Sequence, residues 1–203
     1  MTLRSGAFEE GSAVGAPDFM LETARQLFAE RGFSGSCQSG PALCAGWDDG
    51  DGRRPVRMDD LFITLWRQHQ TAHDAATSEA VAQARQTGVC DPCELFEIGA
   101  RAYLQGAWRR RDLVLLFSSG DAPHGFADVQ RKRWSQWIRR NSLAFGLVGR
   151  PEGRLYVSAL TSVVGRGGGE VAAADNFRQA GTVIDAVLGY TRVLLTGGPR
   201  AAR

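Results

Sequence analysis

Lysine is nearly missing from this chain: Lys132 stands alone among 24 basic residues, the rest being arginine. That bias is the mark of a GC-rich gene and says little about guanidinium chemistry. Long hydrophobic runs are missing too. The longest, Leu113 to Phe117 and Val193 to Leu195, fall far short of the roughly 20 residues needed to cross a bilayer, so no transmembrane helix is expected. Four cysteines in 203 residues do not make a disulfide framework in a chain of this size. Residues 1–17 mix Gly, Ser and Ala with Glu9 and Glu10 and lack a basic stretch followed by an apolar core, which excludes a secretory signal. They read as a loose tail on a cytoplasmic protein. A net charge of +2 neither marks nor excludes a nucleic-acid binder, because a small basic face can be offset elsewhere.

Strand-like alternation of useful length is absent as well, and what is present has helical spacing, so the expected class is all-α. Phe19, Met20, Thr23, Ala24, Leu27 and Phe28 recur on one face before Gly32 ends the first helix. From Asp59 a long stripe of Phe62, Trp66, His69, His73, Ala76 and Ala80 runs until Gly88 closes it. Asp91, Pro92 and Glu94 form an N-terminal capping signature ahead of a helix with Leu95, Phe96, Gly99, Ala102 and Tyr103 on its inner face. Helices are further expected over 112–117, 126–148, 155 to about 164 and 176–195, with Gly165 to Gly169 as a flexible break. Residues 34–57 are different: half of the 24 are Gly, Arg, Pro or Cys, a poor helical composition. There Gly50, Gly52 and Pro55 together disfavour a helix by roughly 5 kcal/mol.

The stretch Leu21-Glu-Thr-Ala-Arg-Gln-Leu-Phe-Ala-Glu-Arg-Gly-Phe33 resembles the opening helix of TetR-family transcription regulators. Asp59-Asp-Leu-Phe62 falls where that family enters its fourth helix, and Gly99-Ala-Arg-Ala-Tyr-Leu104 and Arg111-Asp-Leu-Val-Leu-Leu116 are similar to its regulatory domain. The resemblance implies a dimer with an N-terminal helix-turn-helix head for operator DNA and a C-terminal helical domain holding a small-molecule pocket. On it rests the expected division: a tail at 1–17, a three-helix head at 18–58, a ligand-binding and dimerisation domain at 59–197 and a tail at 198–203. Within the head, only Ala45-Gly46 falls in register with the family's recognition pattern. A sensor or dimerisation module without sequence-specific DNA binding is therefore the alternative to a repressor.

Candidate residues follow from chemistry. Arg53, Arg54 and Arg57 form the basic cluster nearest the expected DNA face, where guanidinium forks suit phosphates and guanine edges. Trp66, His69, His73, Tyr103, Trp134, Trp137 and Asn141 combine aromatic walls with few polar anchors, as an effector pocket requires. Arg131, Lys132, Arg133, Arg139 and Arg140 read as a solvated outer face. Leu155, Ala159 and Val163, with Val183, Val187, Tyr190 and Leu194, give apolar stripes for a dimer contact. Cys93 near a helix N-terminus should have some thiolate character. His69 with His73, and Cys90 with Cys93, have metal-like spacing, but a four-ligand site needs a second pair, so neither a metal nor a cofactor is expected. An enzyme is not expected either, since no nucleophile, base and orienting group can be placed together.

Overall fold

The computed structural model describes residues 18–39 and 56–199, which form seven helices and no strand. They are α1 (Asp18–Ser39), α2 (Met58–Gln86), α3 (Pro92–Arg109), α4 (Arg111–Ser118), α5 (Phe126–Ala144), α6 (Pro151–Ala173) and α7 (Phe177–Gly197). The expected tail at 1–17 and the residues at 40–55 and 200–203 lie outside the described residues. No described helix is long and apolar enough to cross a membrane.

Capping explains several helix ends. Asp91 accepts a hydrogen bond from the Glu94 amide at 3.1 Å, with Pro92 at the first helical position of α3. The Asn176 side chain accepts the Gln179 amide and starts α7. At the end of α2, Gly88 takes φ +96°, its amide donates to the Arg85 carbonyl, and the Val89 amide donates to that of Ala84. The same pairing recurs where α5 stops: the Gly146 amide donates to Leu143 and the Leu147 amide to Ser142. Both are Schellman ends, in which a left-handed residue turns the chain back onto its last carbonyls. Gly146 therefore ends α5 at Ala144, short of the expected Val148.

Residues 34–39 are helical despite their composition. At Gly32 α1 kinks through φ +70° and ψ 179°, a conformation open only to glycine. Asp121, from the turn between α4 and α5, then accepts hydrogen bonds from the Ser34 amide and hydroxyl. Ser36 donates its hydroxyl to the Leu27 and Gly32 carbonyls across the kink. A cap supplied by a distant segment thus offsets weak local propensity, which a window of sequence cannot register.

The larger correction concerns Gly165 to Gly169. They do not break α6, which runs unbroken for 23 residues. Interior glycine costs about 1 kcal/mol relative to alanine, and what offsets it is close approach. A Cβ at Gly167 would lie 2.5 Å from Val187 of α7, and one at Gly168 would lie 2.9 Å from the ring of Tyr103 on α3. The glycines are the surface on which α3 and α7 seat.

Two cores result. One joins Met20, Ala24 and Phe28 of α1 to Leu61, Phe62 and Trp66 of α2, Leu113 and Phe117 of α4, and Phe126 of α5. The other packs Ala100 and Leu104 of α3 and Val164 and Val171 of α6 against Ile184, Val187 and Leu188 of α7. Helix α6 lies at the centre, in contact with α3, α4, α5 and α7.

The glycine run makes a paired prediction. Gly167→Ala forces a methyl group onto Val187 and should destabilise the chain by about 1–3 kcal/mol, the usual cost of overpacking. Gly169 has open space where its Cβ would stand, so Gly169→Ala should stabilise by up to about 1 kcal/mol through helix propensity. Denaturant titration of both variants measures the two signs; a flexible break would make both neutral.

Candidate functional site

The body contains two neighbouring cavities. The first, about 680 Å³, lies between α2, α3, α5 and α6, with Val81, Leu95, Phe96 and Gly99 on its apolar walls and Asp74, Cys90, Arg140 and Asn141 among its polar groups. The second, about 520 Å³, is bounded by Trp66 and His69 of α2, Val114 and Phe117 of α4, Trp134 of α5, and Gly165, Arg166 and Gly169 of α6. Tyr103 and Trp137 line both, their rings meeting edge to face at 5.3 Å. They form the partition.

Of the seven expected pocket residues, Trp66, His69 and Trp134 face the second cavity, Asn141 faces the first, and Tyr103 and Trp137 divide them. His73 lines neither. It is 1% exposed, with its ring 4.4 Å from that of His69 and 4.8 Å from that of Tyr103. It rests on Gly106, where a Cβ would come within 3.0 Å of the imidazole. The periodicity of α2 brings the two histidines together; the tight seat on a glycine of α3 is a tertiary fact.

Residues outside the expected set complete the walls. Asn141 donates to the Thr161 hydroxyl at 3.4 Å, and Thr161 donates to the Val157 carbonyl. Asp74 receives both Arg133 and Arg140. Arg133 is not on a solvated outer face: its side chain is 17% exposed, it also donates to Gln70, and its guanidinium sits 5.4 Å from the Trp137 ring. The arginine faces inward because Asp74 on α2 offers a half-buried carboxylate, a partner distant in sequence.

Burial dominates the electrostatics. It pushes His69 down to about 3, with the neighbouring His73 adding to the effect, and His73 down to about 4, with Arg110 contributing. Both imidazoles are therefore neutral at pH 7. Neither His73 nitrogen nor Nδ1 of His69 has a hydrogen-bond partner among the described residues. Burial also pushes the Tyr103 hydroxyl up to about 12. The Cys93 thiol is pushed up by burial and by the Asp91 carboxylate, so the expected thiolate character is absent. Burial first, and then the Asp91 carboxylate that caps α3, oppose ionisation at this helix N-terminus. Among the described residues no three His, Cys, Asp or Glu side chains are grouped to hold a metal.

Of the basic cluster, Arg57 precedes α2, is exposed, and pairs with Asp59 at 3.5 Å; Arg53 and Arg54 lie outside the described residues. Along the last two helices, Leu155 and Tyr190 are exposed, at 74% and 66%, as are Phe177 and Val193. Ala159 is half-buried. Val163 and Val183 lie partly buried against the second core, and Leu194 lies partly buried against Val157 and Leu160. Val187 faces inward against Gly167.

A TetR-like transcriptional regulator from Rhodococcus sp. RHA1 is similar in structure, with a TM-score of 0.60 over 88% of this chain and 94% of that one, at 19% sequence identity. The fold is TetR-like. No protein-family model matches the sequence, and no curated protein does either. An all-helical TetR-like fold agrees with what the Leu21 to Phe33 motif implies.

The buried histidines set a pH dependence. Both have folded pKa values far below the ordinary 6.5, so between about pH 4 and pH 6.5 the unfolded chain binds protons that the folded chain does not. The stability they contribute is complete above that window and is lost as pH falls through it. His73→Leu removes one such proton and a pair of unsatisfied nitrogens. Its melting temperature should fall less steeply than that of the parent chain between pH 7 and pH 4, as thermal denaturation across the range would reveal; parallel curves would contradict the assignment.

Proposed function

We propose that this chain is a ligand-responsive transcription regulator, a repressor that binds operator DNA as a dimer and releases it when a small molecule enters the body. One observation carries this: helix α4 serves both ends. Its Asp112 accepts a 2.7 Å ion-paired hydrogen bond from Arg25 of α1. Its Phe117 packs edge to face on Phe62, while Val114, Phe117 and Ser118 line the second cavity. Although burial opposes ionisation, the Arg25 guanidinium holds the Asp112 carboxyl below its usual range. A molecule that displaces α4 therefore moves a charged link to the first helix of the head. Asp121, in the turn just after α4, extends that link to Ser34.

In the same proposal Arg53, Arg54 and Arg57 meet the DNA backbone, and a second copy of the chain covers the exposed apolar face of Leu155, Tyr190 and Val193. Isolated apolar residues on a surface need no explanation, but a contiguous face on paired helices calls for a partner. The alternative, a module that senses and dimerises without reading DNA, is favoured by Gly50, Gly52 and Pro55, which resist a recognition helix.

Fluorescence anisotropy with the DNA upstream of the chain's own gene separates the two. Sequence-specific binding that weakens by about tenfold or more between about 50 and about 200 mM salt is expected of a repressor whose arginines neutralise several phosphates. A dimer that binds no DNA sequence preferentially would establish the alternative. The double variant Leu155→Glu with Tyr190→Glu should sediment as a monomer and lose operator affinity; an unchanged dimer would place the interface elsewhere.

A further inference from the structure

The second cavity has a distinct chemistry. Its walls carry five aromatic side chains, those of Trp66, Tyr103, Phe117, Trp134 and Trp137, and no carboxylate. Two arginines reach it. Arg133 is committed to Asp74 and Gln70. Arg166 of α6 is exposed at the rim and has no ion pair or hydrogen bond among the described residues. His69 is 6% exposed, with Nδ1 lacking any partner among the described residues. The floor is open because Gly169 leaves space where a side chain would stand, with nothing within 4 Å of an added Cβ. The first cavity differs in its lining: it has an arginine without an ion pair among the described residues, Arg85, but also carries the Asp74 carboxylate, which Arg133 and Arg140 engage, so it is not carboxylate-free.

We propose that the second cavity binds a flat aromatic carboxylate, with the ring among Trp66, Trp134 and Trp137 and the anion on Arg166. The inference rests on the regulator proposal only for its consequence, since binding itself requires no DNA. Aromatic walls favour a planar ring through offset and edge contacts. A guanidinium that makes no ion pair among the described residues favours a carboxylate over a neutral group, because an Arg–carboxylate pair is charge-assisted. His69 supplies a hydrogen-bonding group that no described residue uses. A volume of about 520 Å³ suits one small bicyclic molecule rather than a long chain.

The test is isothermal titration of the purified full-length protein with 2-naphthoate and with its neutral counterpart 2-naphthamide. The naphthoate should bind about tenfold more tightly, a preference set by a partly solvated charge pair. Arg166→Gln, a surface change that leaves the core untouched, should bring the two ligands to equal affinity. Gly169→Leu fills the floor and should abolish binding of both, with circular dichroism confirming that the helices persist. Equal affinity in the parent chain, a preference that survives Arg166→Gln, undiminished binding to Gly169→Leu, or no binding at all would each overturn the proposal. The titration contains no DNA, so a failure here leaves the operator measurement standing, and a failure there leaves this one readable.

Discussion

The aromatic contact on which the rest depends is centred on Phe62. Its ring is fully buried and meets Phe28, Phe33, Phe117 and Phe126 at 5.0 to 5.5 Å, all close to perpendicular. These four belong to α1, α4 and α5, so one side chain of α2 fixes three other helices. Edge-to-face pairs add about 0.5–1.5 kcal/mol each beyond the area they bury, and they constrain orientation as well as distance. Because Phe28 and Phe33 flank the kink at Gly32, the same cluster sets the angle between the two parts of α1. Helix α1 consequently shares a core with α2, α4 and α5 and cannot rotate against them without repacking it.

Polar links act on top of that shared core. Arg25 with Asp112 and Ser34 with Asp121 connect α1 to the two ends of the α4 region, one pair on each side of the aromatic cluster. Each is partly exposed, so its contribution to stability is small. Their value is directional: a hydrogen-bonded cap and an ion pair register one helix against another more sharply than apolar contact does. The short α4, at eight residues, is held more by these neighbours than by its own backbone, since an isolated helix of that length is not stable in water.

How much of this was legible in the sequence depended on whether the deciding interaction was local. Asp91 with Pro92, Gly88 and the stripe Phe62, Trp66, His69, His73 are local or periodic signals, and the helices they predict are present. The continuity of α6 through Gly165 to Gly169 was not legible, because glycine's cost is local while the gain comes from Val187 and Tyr103 on other helices. Helicity at 34–39 was hidden likewise, since its cap is Asp121. Six of the seven expected site residues line one cavity or the other, and their division into two cavities rests on the Tyr103 and Trp137 rings meeting across α3 and α5. Arg133 was misread because arginine on a helix is usually solvated, and only the fold brings Asp74 beneath it.

The glycine face and the histidine pair belong to one physical account of the site. Helix α6 gives up side chains so that α3 and α7 can approach, and the same economy leaves unfilled space beside Gly169. The same cavity is lined by His69, which with His73 retains buried nitrogens that no group among the described residues satisfies, an arrangement that costs stability. A packed core would replace them with leucine and close the gap with alanine. Local departures of this kind, where propensity and hydrogen bonding both run against the fold, concentrate where a molecule is bound. Here they occur together, one aromatic ring away from the Phe62 cluster: Phe117 lies 5.4 Å from His69 on one side and 5.2 Å from Phe62 on the other. The second cavity and the packing of α1 are therefore linked by direct side-chain contact.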